Sequence, residues 1–184
     1  GRQVSSLANM VRVPSAVYIG NHGLEKLERG KISVDPATES HQSMVQQVVK
    51  AVRKDLGELP GVLYEDKGPI VAIHYRGHTN TTFIKDKILS MLQIPLTRKI
   101  IKIGQGQMVI EVQPPIDFSK GKAILDLIYE HSLKAGIYMG DDTTDISGLK
   151  VMRCSLRCYP FIGIGVAVLG ENTPQAVAET ADFA

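Results

Sequence analysis

Tryptophan is absent from the 184 residues, and aromatic residues make up only 5% of them. A sugar or base pocket walled by tryptophan is therefore excluded. Excess charge of one sign is missing too. Lys and Arg number 21 against 19 Asp and Glu, a formal charge of +2, with no long charged block. That balance excludes a strongly basic nucleic-acid binder and an acidic tail. No apolar run reaches membrane-spanning length; the longest near a terminus covers residues 161–169. The two cysteines, Cys154 and Cys158, are four apart and are expected on one helix face. They read as reduced thiols rather than a disulfide or half a metal site. No internal repeat or low-complexity tract occurs.

The remaining composition is that of a globular protein, with 43% hydrophobic and 22% charged residues. It can bury a core and fits one domain or two small ones. Residues 17–20 read as a short buried strand, and residues 27–34 as a ribbon turning at Arg29-Gly30. Asp35-Pro36 opens a helix, with Asp as cap and Pro at the first helical position. Val45, Val48, Val49, Val52 and Leu56 continue it at helical spacing. Residues 62–65 and 70–75 pair around Asp66-Lys67-Gly68-Pro69. A second helix carries Ile84, Ile88, Leu89 and Leu92 and is expected to end before Pro95. Residues 99–103 and 108–112 form a further hairpin, expected to turn over Gly104-Gln105-Gly106.

Beyond Pro114-Pro115 the pattern changes to alternating helix and strand, the mark of a parallel sheet. Residues 121–133 form an amphipathic helix ended by Ala135-Gly136. Residues 137–139 are expected as a short buried strand, and residues 162–169 as another hydrophobic strand closed by Gly170. The fold class expected is α/β. A parallel core occupies residues 1–19 and 115–184, and an inserted α/β cap on an antiparallel sheet occupies residues 20–114.

Gly140-Asp141-Asp142-Thr143-Thr144-Asp145 holds three Asp within five residues, directly after a buried strand. Ligands of open parallel sheets bind at the carboxyl ends of strands. Hard carboxylate oxygens there suit Mg²⁺, which takes one or two protein carboxylates and fills its shell with water and phosphate. Helix capping would need only one of the three Asp. Ser119-Lys120-Gly121 places a cation at a helix start, the unfavourable end of the dipole unless an anion sits there. His74 and His78 would pair on a metal only within a helix. Residues 70–75 read as a strand, so His74 is expected as a packed, hydrogen-bonded residue.

Together, Gly20-Asn21-His22-Gly23-Leu24-Glu25, Glu65-Asp66-Lys67, His74-Tyr75-Arg76, Glu111, Lys120-Gly121 and the Asp cluster resemble the trehalose-6-phosphate phosphatases. These are Mg²⁺ phosphatases of the haloacid-dehalogenase-like superfamily. The resemblance implies Mg²⁺-dependent hydrolysis of trehalose 6-phosphate through an aspartyl-phosphate. It implies catalytic roles for Lys120 and Asp141 and metal binding by Asp141, Asp142 and Asp145. It also implies that Asn21, His22, Glu25, Glu65, Lys67, Arg76 and Glu111 line a sugar-reading cap. The expected partner is a small sugar phosphate, with no nucleic acid and no membrane. The expected location is cytoplasmic, as a monomer or fused to a synthase domain.

The family's nucleophile segment, Asp-x-Asp-x-Thr, has no counterpart. None of the ten Asp of this sequence lie two positions apart. Gly1-Arg2 matches the family's second motif just after its hydroxyl, and residues 181–184 match the start of its last core strand. The 184 residues are therefore expected to be inactive alone, with a core half of poor stability and an exposed strand edge. Two alternatives remain at this point. One is a sucrose-phosphate or mannosyl-3-phosphoglycerate phosphatase of the same superfamily. The other is a non-catalytic sugar-phosphate-binding or regulatory domain.

Overall fold

The computed structural model describes residues 2–154 and 160–184. It divides into two compact units, Gly1–Asp117 and Phe118–Ala184.

The first unit opens with α1 (Val4–Val11), followed by a three-stranded antiparallel sheet of β1 (Tyr18–Gly20), β2 (Glu25–Glu28) and β3 (Lys31–Val34). Arg29 and Gly30 turn the β2–β3 hairpin with φ of 49° and 76°, the left-handed pair that tight hairpins require. Asp35 accepts the Ala37 amide at 2.9 Å and starts α2 (Pro36–Leu56). A four-stranded antiparallel sheet follows in the order β4 (Leu63–Asp66), β5 (Val71–His74), β7 (Val109–Gln113), β6 (Lys102–Gly106), with α3 (Thr81–Thr97) between β5 and β6. Val45, Val49, Val52 and Leu56 of α2 and Ile84, Ile88 and Leu92 of α3 pack on Val71, Ile73, Ile110 and Val112. Each such fully buried aliphatic side chain contributes about 1.5–3 kcal/mol, so this face is the main core of the unit. The opposite face carries the polar side chains.

In this unit the end of α3 and the β6–β7 turn differ from the sequence expectation. α3 runs through Pro95 to Thr97. Proline costs most in a helix interior; here it stands in the last turn, and its own carbonyl accepts the Ile100 amide at 2.9 Å. The β6–β7 hairpin turns at Gln107-Met108, because Gly106 pairs with Val109 and Gly104 with Glu111. Gly104 and Gly106 therefore lie inside a strand. A Cβ on Gly104 would come within 2.5 Å of the Gln113 amide nitrogen, so glycine there makes room for a side chain across the ladder.

The second unit contains α4 (Lys120–Glu130), β8 (Ala135–Gly140), α5 (Ile146–Arg153), β9 (Ile162–Ala167) and α6 (Gln175–Thr180). β8 and β9 pair in parallel, and Phe183 bridges Val166 in the same sense. Ala135-Gly136 belongs to β8 rather than ending the preceding helix, because α4 already stops at Glu130. α5 ends at Arg153, so Cys154 sits in an extended cap and not on a helix face. Its counterpart Cys158 lies outside the described residues, as does Gly1. The mixed α/β architecture, with parallel and antiparallel sheets, is the fold class expected from the sequence. Among the described residues no helix is long and apolar enough to cross a membrane.

Candidate functional site

Strand pairing alone assembles the polar face of the first unit. One rung of the sheet reads Glu65, Ala72, Glu111, Gly104, and the next on the same face, two residues along, reads Leu63, His74, Val109, Gly106. Successive residues on a strand face opposite ways. The apolar partners of these rungs, Ile73, Ile110 and Val112, therefore point into the core. Small residues at 72 and 104 leave the Glu65 and Glu111 carboxylates standing over a shallow floor.

Lys67, just past β4, reaches back across this floor. Its Nζ lies 3.0 Å from Glu111 Oε1 and 3.7 Å from Glu65 Oε2. His22 Nε2 is 3.4 Å from Glu111 Oε2, and Gln113 donates to the same oxygen at 3.1 Å. Burial pushes the Glu111 carboxyl up, but hydrogen bonds from His22 and Lys67 outweigh it and hold the group well below the ordinary carboxylate range. Glu111 is 13% exposed and Lys67 12%, whereas Glu65 is 54% exposed. Glu65 is thus the carboxylate that faces solvent.

The loop before β2 supplies the remaining residues. Asn21, His22 and Gly23 all have positive φ, at 46°, 61° and 113°. Asn and glycine tolerate that region best, and the bend sends the Asn21 side chain to the Lys67 carbonyl just past β4 and the His22 ring to Glu111 on β7. Asn21 is fully buried and donates to the Lys67 carbonyl at 2.8 Å, while its own Oδ1 has no partner among the described residues. Glu25 is also buried, and its Oε2 accepts the Val4 amide at 3.1 Å. The structure therefore buries Asn21 and Glu25, with Asn21 tying the loop before β2 to the 66–69 turn and Glu25 tying β2 to the start of α1. Arg76 is exposed at the far end, where its guanidinium reaches the Gln107 carbonyl at 3.5 Å. A cavity of about 760 Å³ is lined by Leu63, Tyr64, Glu65, His74, Arg76, Gln107 and their neighbours.

The second unit gathers Lys120, Asp141, Asp142 and Asp145 at the carboxyl end of β8. Ser119 caps α4 by accepting the Lys122 amide at 3.1 Å, which fixes Lys120 in the first turn. Lys120 Nζ meets Asp145 Oδ1 at 2.6 Å, and the Tyr138 hydroxyl donates to the same oxygen. The Asp141 and Asp142 amides donate to Asp145 Oδ2 at 3.3 and 3.1 Å. Burial works against ionisation of Asp145, but the bonds from Lys120, Tyr138 and the backbone prevail and lower its pKa. Burial and the bond to Asp145 raise that of Tyr138. Asp142 caps the turn through Thr143, whose amide and hydroxyl both reach its Oδ1. The Asp141 side chain is exposed and takes no hydrogen bond from a described residue. A hard cation would thus find Asp141 and the second oxygen of Asp142, a donor set that fits Mg²⁺ completed by water. Asp145 has both oxygens engaged within the protein.

Sequence reasoning passed over Gln113 and Tyr138, and gave His74 only as a packed, hydrogen-bonded residue with no partner named. His74 donates from Nε2 to Glu65 Oε2 at 2.9 Å. Its position on the polar rung follows from the β4–β5 register, which the 66–69 turn does signal. Gln113 and Tyr138 carry no local signal, because their partners are reached only through tertiary packing.

A family model described as trehalose-phosphatase matches residues 1–169. The trehalose-phosphate phosphatase of Mycobacterium bovis (strain BCG / Pasteur 1173P2) is 29% identical over 159 residues, covering 83% of this chain and 40% of that protein. The chain thus spans under half the length of such curated relatives. A solved trehalose-6-phosphate phosphatase related protein aligns over 99% of this chain and 70% of its own, with TM-score 0.72 and 18% identity. The C-terminal domain of the C. albicans trehalose-6-phosphate phosphatase aligns over 97% of this chain and 73% of its own, with TM-score 0.66 and 20% identity.

Proposed function

The chain belongs to the trehalose-phosphatase family, and from that premise we propose that it serves the hydrolysis of trehalose 6-phosphate to trehalose and phosphate. The observation that supports this most is the polar face of the four-stranded sheet, where Glu65, Lys67, Glu111 and His22 converge without any tryptophan. A disaccharide presents many hydroxyls and little else. Charged donors and acceptors held in fixed positions suit it, and a site built to bond hydroxyls rejects a ligand lacking them by about 10⁴-fold or more. In this reading residues 20–114 form the sugar-reading cap, and residues 1–19 and 115–184 belong to the phosphatase core.

In the core, Lys120 at the start of α4 is the cation for phosphoryl oxygens, and Asp145 holds its ammonium in place. Asp141 with Asp142 would hold Mg²⁺, which when bound would neutralise phosphoryl charge. The Asp145 carboxylate, which also gathers the amides of Asp141 and Asp142, shapes the turn that presents them. The location proposed is cytoplasmic. An aspartyl nucleophile and its acid–base partner two positions on are not among the ten Asp of this sequence. Turnover is therefore expected only from a chain that also carries such a pair.

The test is equilibrium binding by calorimetry to the 184-residue chain with Mg²⁺ present. Trehalose 6-phosphate should bind more tightly than sucrose 6-phosphate or mannosyl-3-phosphoglycerate. Equal or tighter binding of either of those two would move the assignment to a neighbouring phosphatase. Phosphate release above a Mg²⁺-only blank would overturn the requirement for an added Asp pair.

A further inference from the structure

Glu65 is the exposed carboxylate of the polar face, yet it is not a loose one. His74 stands diagonally across the β4–β5 ladder, two rungs on and on the same face, and its Nε2 lies 2.9 Å from Glu65 Oε2. Lys67 approaches the same oxygen at 3.7 Å. Glu65 Oε1 has no partner among the described residues, and both side chains line the cavity of about 760 Å³. The neighbours of His74 on its rung, Leu63 and Val109, are apolar and offer its ring no competing bond. An exposed glutamate has several rotamers, and ordering one of them costs conformational entropy. A bond that fixes one oxygen before the ligand arrives removes much of that cost.

We propose that His74 is a positioning residue of the sugar site: it pins one oxygen of Glu65 so that the other is presented to the hydroxyls of a polyhydroxylated ligand. This rests on the reading of the polar face as a sugar site. The hydrogen bond from His74 also holds the Glu65 carboxyl below its ordinary value, against a smaller effect of burial and with help from Lys67, which keeps Oε1 an acceptor.

The experiment is calorimetric binding of trehalose 6-phosphate and of inorganic phosphate to the 184-residue chain and four variants. His74→Leu should lose about tenfold in affinity for trehalose 6-phosphate and nothing for inorganic phosphate. Glu65→Gln should lose a similar factor, and the double variant no more than either alone. His74→Gln, whose amide nitrogen can occupy the place of Nε2, should stay within about threefold of the unaltered chain. Thermal unfolding of each variant checks that the fold is kept. Unchanged affinity in His74→Leu, multiplied losses in the double variant, or failure of glutamine to rescue would overturn the positioning role alone. Absence of trehalose 6-phosphate binding in the unaltered chain would overturn the sugar-site reading and this inference with it.

Discussion

Lys120 and Asp145 stand 25 positions apart in sequence and meet at 2.6 Å, Nζ on Oδ1. The contact joins the first turn of α4 to the turn after β8. The Asp145 side chain is only 5% exposed, against 34% for Lys120. Removing the partner of a buried charge costs more than the pair contributes, because the remaining charge is left desolvated. Lys120→Met is therefore expected to destabilise the second unit by about 2 kcal/mol, and Lys120→Arg by less. Chemical denaturation followed by amide exchange in α4 and α5 measures this. An unchanged midpoint for Lys120→Met would mean that Tyr138 and the backbone amides hold Asp145 unaided.

The same contact separates the three aspartates by task. Asp145 is used up inside the protein, Asp142 caps a turn with one oxygen, and Asp141 is exposed. Mn²⁺, a spectroscopic substitute for Mg²⁺, should bind the chain in electron paramagnetic resonance titrations. Asp141→Asn should weaken that binding by about tenfold or more, and Asp142→Asn by less. Equal losses in both, or an unaffected Asp141→Asn, would remove Asp141 as the principal ligand.

Local chemistry makes much of this arrangement legible in the amino-acid sequence. The capped start of α2 at Asp35-Pro36, the hairpin at residues 66–69 and the turn after β8 all carry strong local signals, and each appears where expected. Legibility fails where tertiary contact outweighs local preference. Gly104 and Gly106 look like a turn in sequence, but Gln113 and Glu111 crowd Gly104 and Val109 crowds Gly106 across the ladder, and the hairpin turns at Gln107-Met108. Pro95 looks like a stop, yet its place in the last turn of α3 lets the helix close around it. The family resemblance puts Asn21 and Glu25 on the lining of the cap, and the structure buries both. Nothing in their local sequence separates a residue that touches a ligand from one that supports it.

Acid should reveal the Glu111 cluster. Its carboxyl has an ordinary value of 4.5, and in the fold it is held well below that. The unfolded chain therefore binds more protons between the two values, and stability rises with pH across that window. The contribution is complete above about pH 4.5 and is lost as pH falls through the folded value. Glu111→Gln should flatten the acid limb of unfolding for the first unit while lowering its stability at neutral pH. A variant with an unaltered acid limb would contradict this.

Gly121 tests the packing that places Lys120. Its amide donates to Ser147 Oγ at 3.1 Å, and a Cβ there would stand 2.5 Å from the Ser147 carbonyl oxygen. Alanine improves an exposed helix position by up to about 1 kcal/mol, but overpacking against backbone costs about 1–3 kcal/mol. The clash is with main chain, which cannot swing aside, so Gly121→Ala should destabilise the second unit by about 1–2 kcal/mol. A stabilising substitution would show that α4 and α5 separate easily.

The β8–β9 sheet carries the last test. Ala135 pairs with Ile162, Ile137 with Ile164 and Met139 with Val166 on one face of a parallel sheet. Ile137, Met139 and Ile162 are each more than 65% exposed, so residues 137–139 are not the buried strand that their apolar sequence suggests. Parallel sheets are normally covered on both faces, and an apolar surface of this kind binds hydrophobic probes. The 184-residue chain should therefore raise the fluorescence of anilinonaphthalene sulfonate under native conditions. Ile137→Lys should reduce that signal while changing stability by no more than about 0.5 kcal/mol, because the side chain packs on little. A silent dye, or a large loss of stability in the variant, would mean that this face is covered in solution and that the second unit is better protected than its sheet suggests.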